Sequence, residues 1–236
     1  MIVYQTTQKA SGDNINPFLC ILAEQNSKEK RDFTVSVVGD PRLRNRLAAL
    51  VEGAGYPVQC FPSAADFLSE REPNAPGCAI VDLQAPHMDG LNLQAALASE
   101  ELPLPIIFFA GINDVLASVQ VMKAGAFDVL AKPVDRQSLL SAISLAAEHY
   151  AQMRQGYEAR NTIRRKFATL SRREIEVLRH VIAGRLNKEI AFELGTVEKT
   201  IKVHRGRAAK KLGTRSVVEF VRLAAMADVT PYSADS

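Results

Sequence analysis

From Asp32 onward the chain alternates between two hydrophobic rhythms. Short, largely β-branched apolar runs at Thr34–Val38, Val58–Phe61, Cys78–Val81, Ile106–Phe109 and Phe127–Leu130 have the length and continuity of strands buried on both faces. Between them apolar positions recur at helical spacing, at Leu43–Val51, Ala64–Leu68, Leu91–Ala98, Val115–Lys123 and Ser138–Tyr150. Strands alternating with helices of this length predict an α/β domain, a doubly wound five-stranded parallel sheet with helices on both faces. The functional crevice of such a sheet lies at the carboxyl ends of its strands, which makes Gly39–Asp40, Asp82, Ala110 and Lys132 the positions to watch.

The β rhythm stops after this domain. Residues 151–167 form a polar, basic connector, and the last helix of the α/β domain can run into it. From Leu170 four helices follow. Ser171 with Glu174 three places on makes a capping box, ahead of an apolar stripe of Ile175, Leu178 and Ile182 that Gly184 ends. A short helix at Asn187–Leu194 turns Ile190, Ala191 and Leu194 inward, and Gly195 makes the next turn. A longer helix, Glu198–Leu212, puts Ile201, His204, Ala208 and Leu212 on one face, and a last one, Ser216–Ala227, carries Val217, Phe220, Val221 and Ala224. The expected organisation is an N-terminal extension (1–32), with at most a short helix near Phe18, an α/β domain (33–150), a linker (151–167) and an all-α four-helix domain (168–236).

Length supports this division, since 236 residues are comfortable for two domains. A hydrophobic fraction of 47% with 23% charged residues is that of an ordinary globular chain. The longest mostly apolar stretch, Leu102–Ile112, falls short of the roughly 18 residues of a membrane span. The patch Phe18–Ala23 lacks a basic start, so no secretory signal and no membrane partner are expected, and the cytoplasm is the expected compartment. Cys20, Cys60 and Cys78 form no metal-ligand or redox pattern, and Cys60 and Cys78 read as small core residues. Charge separates the domains. Residues 33–150 carry a net charge of −6, whereas residues 151–236 carry 18 basic against 9 acidic side chains. Only the second domain is suited to a polyanion.

The short helix, tight turn and longer helix of residues 187–212 have helix-turn-helix proportions. Opposite its core face the longer helix carries Lys199, Lys202, Val203 and Lys210, with Arg205 and Arg207 on the flanks. Such a helix fits the major groove, where a cation donates to guanine and an apolar side chain meets a thymine methyl. Asn187 and Lys188, at the amino end of the short helix, suit a phosphate. Leu170–Leu178, Ala183-Gly184, Asn187–Ala191, Thr200–His204 and Lys211-Leu212 together resemble the LuxR-type helix-turn-helix over about 50 residues without a gap. The resemblance implies base contacts from Lys202 and Val203 and phosphate contacts from Asn187, Lys188, Thr200 and His204. By its position alone His204 reads equally as a core histidine, and a basic four-helix unit can also be a protein-docking module. Two residues depart from the family: Val197 stands where a Ser or Thr cap is usual, and Gly206 where some members carry a basic residue facing the groove.

The α/β domain resembles the receiver domain of two-component response regulators, through Val81–Gly90, Met122–Asp128 and Lys132-Pro133. Receiver plus LuxR-type module is the layout of NarL/FixJ-type regulators, and the resemblance makes Asp82 the candidate phosphoacceptor. Receivers hold Mg²⁺ with an acidic pair after the first strand, but Val38 and Gly39 occupy those positions and only Asp40, one place on, is acidic. Ala110 replaces the hydroxyl residue of the fourth strand, Val129 replaces the mobile aromatic, and Lys132 remains. The expected function is a DNA-binding transcription regulator with a degenerate receiver, controlled without Mg-dependent aspartyl phosphorylation and needing no cofactor. The alternatives are a conventional regulator, phosphorylated with Mg²⁺ on Asp82 by a sensor kinase, and a protein-docking signalling adaptor. The expected partners are double-stranded DNA and a second copy of the chain, with Val217 and Val221 as candidate dimer contacts. A kinase, another protein or a ligand remains open at the receiver pocket. No nucleophile–base pair, His cluster or phosphate-binding Gly loop suggests an enzyme.

Overall fold

A computed structural model of the chain describes Lys28 and residues 30–84 and 90–233. The apolar patch 18–23, Cys20 and residues 85–89 of the Asp82 motif lie outside the described residues. Contacts divide the chain into two units, at Ala151 and Gln152.

In the first unit the strands are β1 (Thr34–Val38), β2 (Val58–Phe61), β3 (Gly77–Asp82), β4 (Ile106–Ala110) and β5 (Asp128–Ala131). The helices α1 (Pro41–Glu52), α2 (Ala64–Glu70), α3 (Gly90–Ala98) and α4 (Val115–Lys123) alternate with them. All pairings are parallel, in the order β2-β1-β3-β4-β5. Strand order reverses between β1 and β3, so a crevice opens at their carboxyl ends. There Val38 pairs with Val81, and Asp82 with Phe109. The strands β3 and β4 are buried along their whole length, which accounts for their unbroken apolar sequence. Val38, Phe67, Val81, Leu93 and Phe108 anchor the cluster beneath the crevice, and burying each such side chain is worth roughly 1.5–3 kcal/mol. Gly77 has a steric reason to be glycine, because a Cβ there would collide with the Thr34 carbonyl.

One expectation needs correction, and another is extended. Cys78 is buried, but Cys60 is exposed, because β2 is a short edge strand on which Gln59 and Cys60 are both exposed. The segment 151–167 is helical throughout: α5 runs continuously from Arg136 to Ala168. Its first half buries Leu139, Ala142, Ile143, Ala146 and Tyr150 in the first unit, and Phe167 with Ile163 joins the core of the second. The apolar stripe lapses between them, but Gln, Arg, Glu and Ala are good helix formers and need no packed face to continue a helix.

The second unit adds α6 (Arg172–Ile182), α7 (Asn187–Glu193), α8 (Glu198–Leu212) and α9 (Val217–Met226). Its core gathers Val177, Leu178, Val181, Ile190, Ile201, Ala208, Leu212 and Phe220. The inward stripe of α6 is therefore rotated from the expected one. Leu178 is central, while Ile175 and Ile182 only flank the core. The Ser171–Glu174 capping box is formed in both directions, at 3.3 Å and 2.8 Å. Gly184 and Gly195 end α6 and α7 with φ of 80° and 59°, a left-handed turn for which glycine carries no steric penalty.

Candidate functional site

Two groups of residues stand out, one in each unit. At the carboxyl ends of β3 and β5, Lys132 Nζ donates to Asp82 Oδ1 at 2.5 Å. The Asp82 side chain is only 7% exposed and that of Lys132 27%. The same carboxylate oxygen accepts the Gln84 amide at 2.9 Å, and the Gln84 side-chain oxygen is 3.5 Å from Lys132 Nζ. Lys132 is placed by its own amide, which donates to Ala110 O at 2.8 Å, and the Lys132–Pro133 peptide is cis. Asp40 points its carboxylate elsewhere. It is the N-cap of α1, with Oδ1 accepting from the amides of Arg42 (2.7 Å) and Leu43 (3.3 Å). Pro41 at the first helical position strengthens that start.

The fourth strand delivers Ala110 to the crevice, buried and without a hydroxyl. The next amide, Gly111 N, donates to Asp114 Oδ2 at 2.7 Å. Val129 packs against the core beneath the crevice. The structure thus brings Asp82, Lys132 and Ala110 together, commits Asp40 to a helix end and holds the half-buried Val129 against the core. Gln84 was missed from sequence. Its amide group lies where a Cβ on Gly111 would be, 2.7 Å from Nε2, so glycine at 111 is the only trace of this contact in the sequence.

In the second unit Lys199, Lys202, Val203, Arg207 and Lys210 are exposed on α8, on the side away from Ile201, Ala208 and Leu212. Val203 is 44% exposed, the one apolar side chain among these cations. Lys202 bridges to Glu198 at 2.9 Å in an exposed i,i+4 pair. The start of α8 is the weak one expected: Val197 is its N-cap and supplies no side-chain hydrogen bond. Lys188 is exposed and Thr200 half-buried. Arg205 Nη1 lies 3.4 Å from Asn187 Oδ1, tying the middle of α8 to the amino end of α7. His204 is half-buried and its Nδ1 faces the interior without a hydrogen-bond partner.

Two supports behind α8 were not legible in the sequence. Lys211 Nζ reaches Glu174 Oε2 at 2.7 Å and Thr169 O at 2.9 Å. Burial alone would raise the Glu174 carboxyl, but hydrogen bonds from Lys211 and the Ser171 amide hold it below the usual carboxylate range. The other support is the segment after α9, which folds back over α6 and α7. The Tyr232 ring stacks on His180 with centroids 3.9 Å apart, and the Arg185 guanidinium lies 4.5 Å from its centroid. Tyr232 OH donates to Glu193 Oε1 at 2.7 Å, and Glu193 also holds Arg185 at 3.1 Å. His180 is buried with neither ring nitrogen hydrogen-bonded, and burial together with Arg185 pushes its pKa below the ordinary histidine value.

Comparison with known proteins finds two families along the chain. Residues 35–144 match the family described as "Response regulator receiver domain", and residues 168–224 the family described as "Bacterial regulatory proteins, luxR family". The chain is 36% identical to the response regulator protein TmoT of Ectopseudomonas mendocina over 202 residues, 86% of this chain and 92% of that protein. It is 35% identical to the transcriptional regulatory protein FixJ of Rhizobium meliloti, covering 82% of this chain and 95% of that one. Among solved structures it resembles the response regulator StyR at 38% identity and a TM-score of 0.69, over 82% of this chain and 98% of that chain. The tail that carries Tyr232 lies beyond the luxR match.

Proposed function

Because this chain belongs to the transcriptional response regulators that join a receiver domain to a LuxR-type helix-turn-helix, we propose that its receiver acts without Mg-dependent aspartyl phosphorylation. The observation that carries this reading is how the two carboxylates of the crevice are used. Asp82 is held by Lys132, and Asp40 caps α1. Mg²⁺ demands octahedral oxygen coordination, gives up water reluctantly, and is kept in place by carboxylates. One lysine-paired carboxylate beside Val38, Gly39 and Ala110 does not suit it. No hydroxyl at position 110 is available to receive a phosphoryl oxygen. The Asp82–Lys132 pair then serves as a fixed polar link between β3 and the β5 end.

The output is carried by α8, whose Lys202 and Val203 read base edges while Lys199, Arg207 and Lys210 follow the phosphates. Asn187 and Lys188, with Thr200, fix the motif on the backbone. Val217 and Val221, which are partly exposed on α9, are the proposed contact between two DNA-bound copies. Among the described residues no helix is long and apolar enough to cross a membrane.

Incubation with a small-molecule phosphodonor and Mg²⁺, followed by intact mass spectrometry, tests the receiver reading. The expected result is an unchanged mass. A stoichiometric gain of about 80 Da that disappears in Asp82→Asn would overturn it in favour of conventional phosphorylation.

A further inference from the structure

Gly206 lies in the interior of α8 on its exposed side, one turn from Lys202 and Val203 and one turn from Lys210. Glycine weakens a helix interior relative to alanine, because it loses more backbone freedom on folding. Three other glycines of this unit have conformational reasons, whereas Gly156, in the interior of α5 and away from the α8 face, shows no left-handed φ. Gly184, Gly195 and Gly213 sit at helix ends with φ of 80°, 59° and 80°. Gly206 has none. Its φ lies outside the left-handed region, and a Cβ built on it meets nothing within 4 Å. The fold therefore has room for a side chain at the centre of the helix face that is turned to DNA.

The surroundings indicate what fills it. Val203 is half-exposed beside Gly206, so the two make a small apolar surface enclosed by Lys202 and Lys210. Of the groups on the major-groove floor, the thymine C5-methyl is the one that matches an apolar surface. We propose that Gly206 is a specificity-determining position, at which the missing side chain leaves room for a thymine methyl to pack against the bare α8 backbone beside Val203. This inference rests on α8 being the reading helix. It assigns thymine recognition to an absent side chain, so the added methyl of Gly206→Ala and the methyl of the base compete for one space.

That competition makes a two-sided test. A duplex is selected from a random-sequence library by the full wild-type chain. Binding is then measured at fixed salt for wild type and Gly206→Ala, with deoxyuridine replacing thymidine at one position of the site at a time. Deoxyuridine keeps the base-pairing groups and lacks only the methyl. Gly206→Ala should raise the melting temperature by about 3–5 °C yet bind the selected duplex about tenfold more weakly. At one thymidine, deoxyuridine should weaken the wild type and restore the variant. Because stability and affinity move in opposite directions, misfolding cannot imitate the result. Binding of Gly206→Ala that equals wild type overturns the inference, as does a loss that no deoxyuridine restores. Lys202→Ala and Val203→Ala are measured in parallel. If both bind like wild type, the assignment of α8 falls and this inference with it. If they bind weakly while Gly206→Ala does not, only the inference falls.

Discussion

Lys132 and Asp82, fifty residues apart in sequence, meet at 2.5 Å across the carboxyl ends of β5 and β3. The carboxylate is nearly closed off from solvent, and the ammonium is partly open to it. Removing one partner of such a pair leaves the other desolvated and uncompensated, which costs more than removing both. Lys132→Met is therefore expected to destabilise the receiver by about 2–3 kcal/mol, reduced from the fully buried case because Lys132 is partly exposed. Asp82→Asn with Lys132→Met should recover most of that loss. Denaturant unfolding of the two single variants and the double variant measures the coupling, and additive losses would mean that the pair is not a unit.

Asp40 discriminates between a helix cap and a metal ligand. Its carboxylate accepts the Arg42 and Leu43 amides, and asparagine caps as well as aspartate does. Asp40→Asn should leave stability nearly unchanged, whereas Asp40→Ala should cost about 1 kcal/mol. Neither substitution should alter the thermal response to added Mg²⁺. A Mg²⁺ stabilisation present in wild type and lost in Asp40→Asn would identify Asp40 as a ligand instead.

Phosphate and base contacts leave different marks on DNA binding. Lys188→Ala should weaken selected and random duplexes alike, and lower the slope of log affinity against log salt by about 0.9. Val203→Ala should weaken the selected duplex several-fold and leave both the random duplex and the salt slope unchanged. Equal effects of Val203→Ala on both duplexes would place it outside base reading.

The His180–Tyr232 stack gives the helical unit a pH dependence. The folded-state pKa of His180 lies below the ordinary value of 6.5, so the unfolded chain binds a proton that the native site resists. Stability should be complete above about pH 6.5, and should fall as the pH drops from there towards the lowered native pKa. The charged groups around the ring do not reverse this sign. Burial is the largest influence and lowers the pKa; Arg185 and Arg179 also oppose protonation, while Glu193 and Glu176 favour it, and the net shift is downward. Glu174 and Glu193, with depressed carboxyls, contribute losses only at more acidic pH. Melting curves at pH 7.5 and 5.5 should show a drop in wild type that is smaller in His180→Phe. Tyr232→Ala should lower the melting temperature already at pH 7.5, since it removes both the stack and the Glu193 hydrogen bond. An identical acid response in His180→Phe would exclude His180 as the source.

The alternation of strand and helix, the register of apolar runs, the Ser171 capping box and the basic face of α8 were all legible in the sequence, because they are local. Each follows from backbone geometry and from which side chains must leave water within a few residues of one another. The absence of acid at positions 38 and 39 and of a hydroxyl at position 110 was equally plain. The sequence did not determine where long side chains go. Asp40 turns to the nearest helix amides, Lys132 closes on a carboxylate fifty positions away, and Gln84 reaches over Gly111. Periodicity also left open how far α5 continues, because a polar helix carries no apolar stripe, and it placed the α6 stripe off-centre, because the direction of packing depends on the neighbouring helices. The Tyr232 tail has no regular pattern at all. Its position comes from a ring, a guanidinium and a carboxylate that only the folded chain brings together, and such pairings are set by three-dimensional proximity rather than by spacing along the chain.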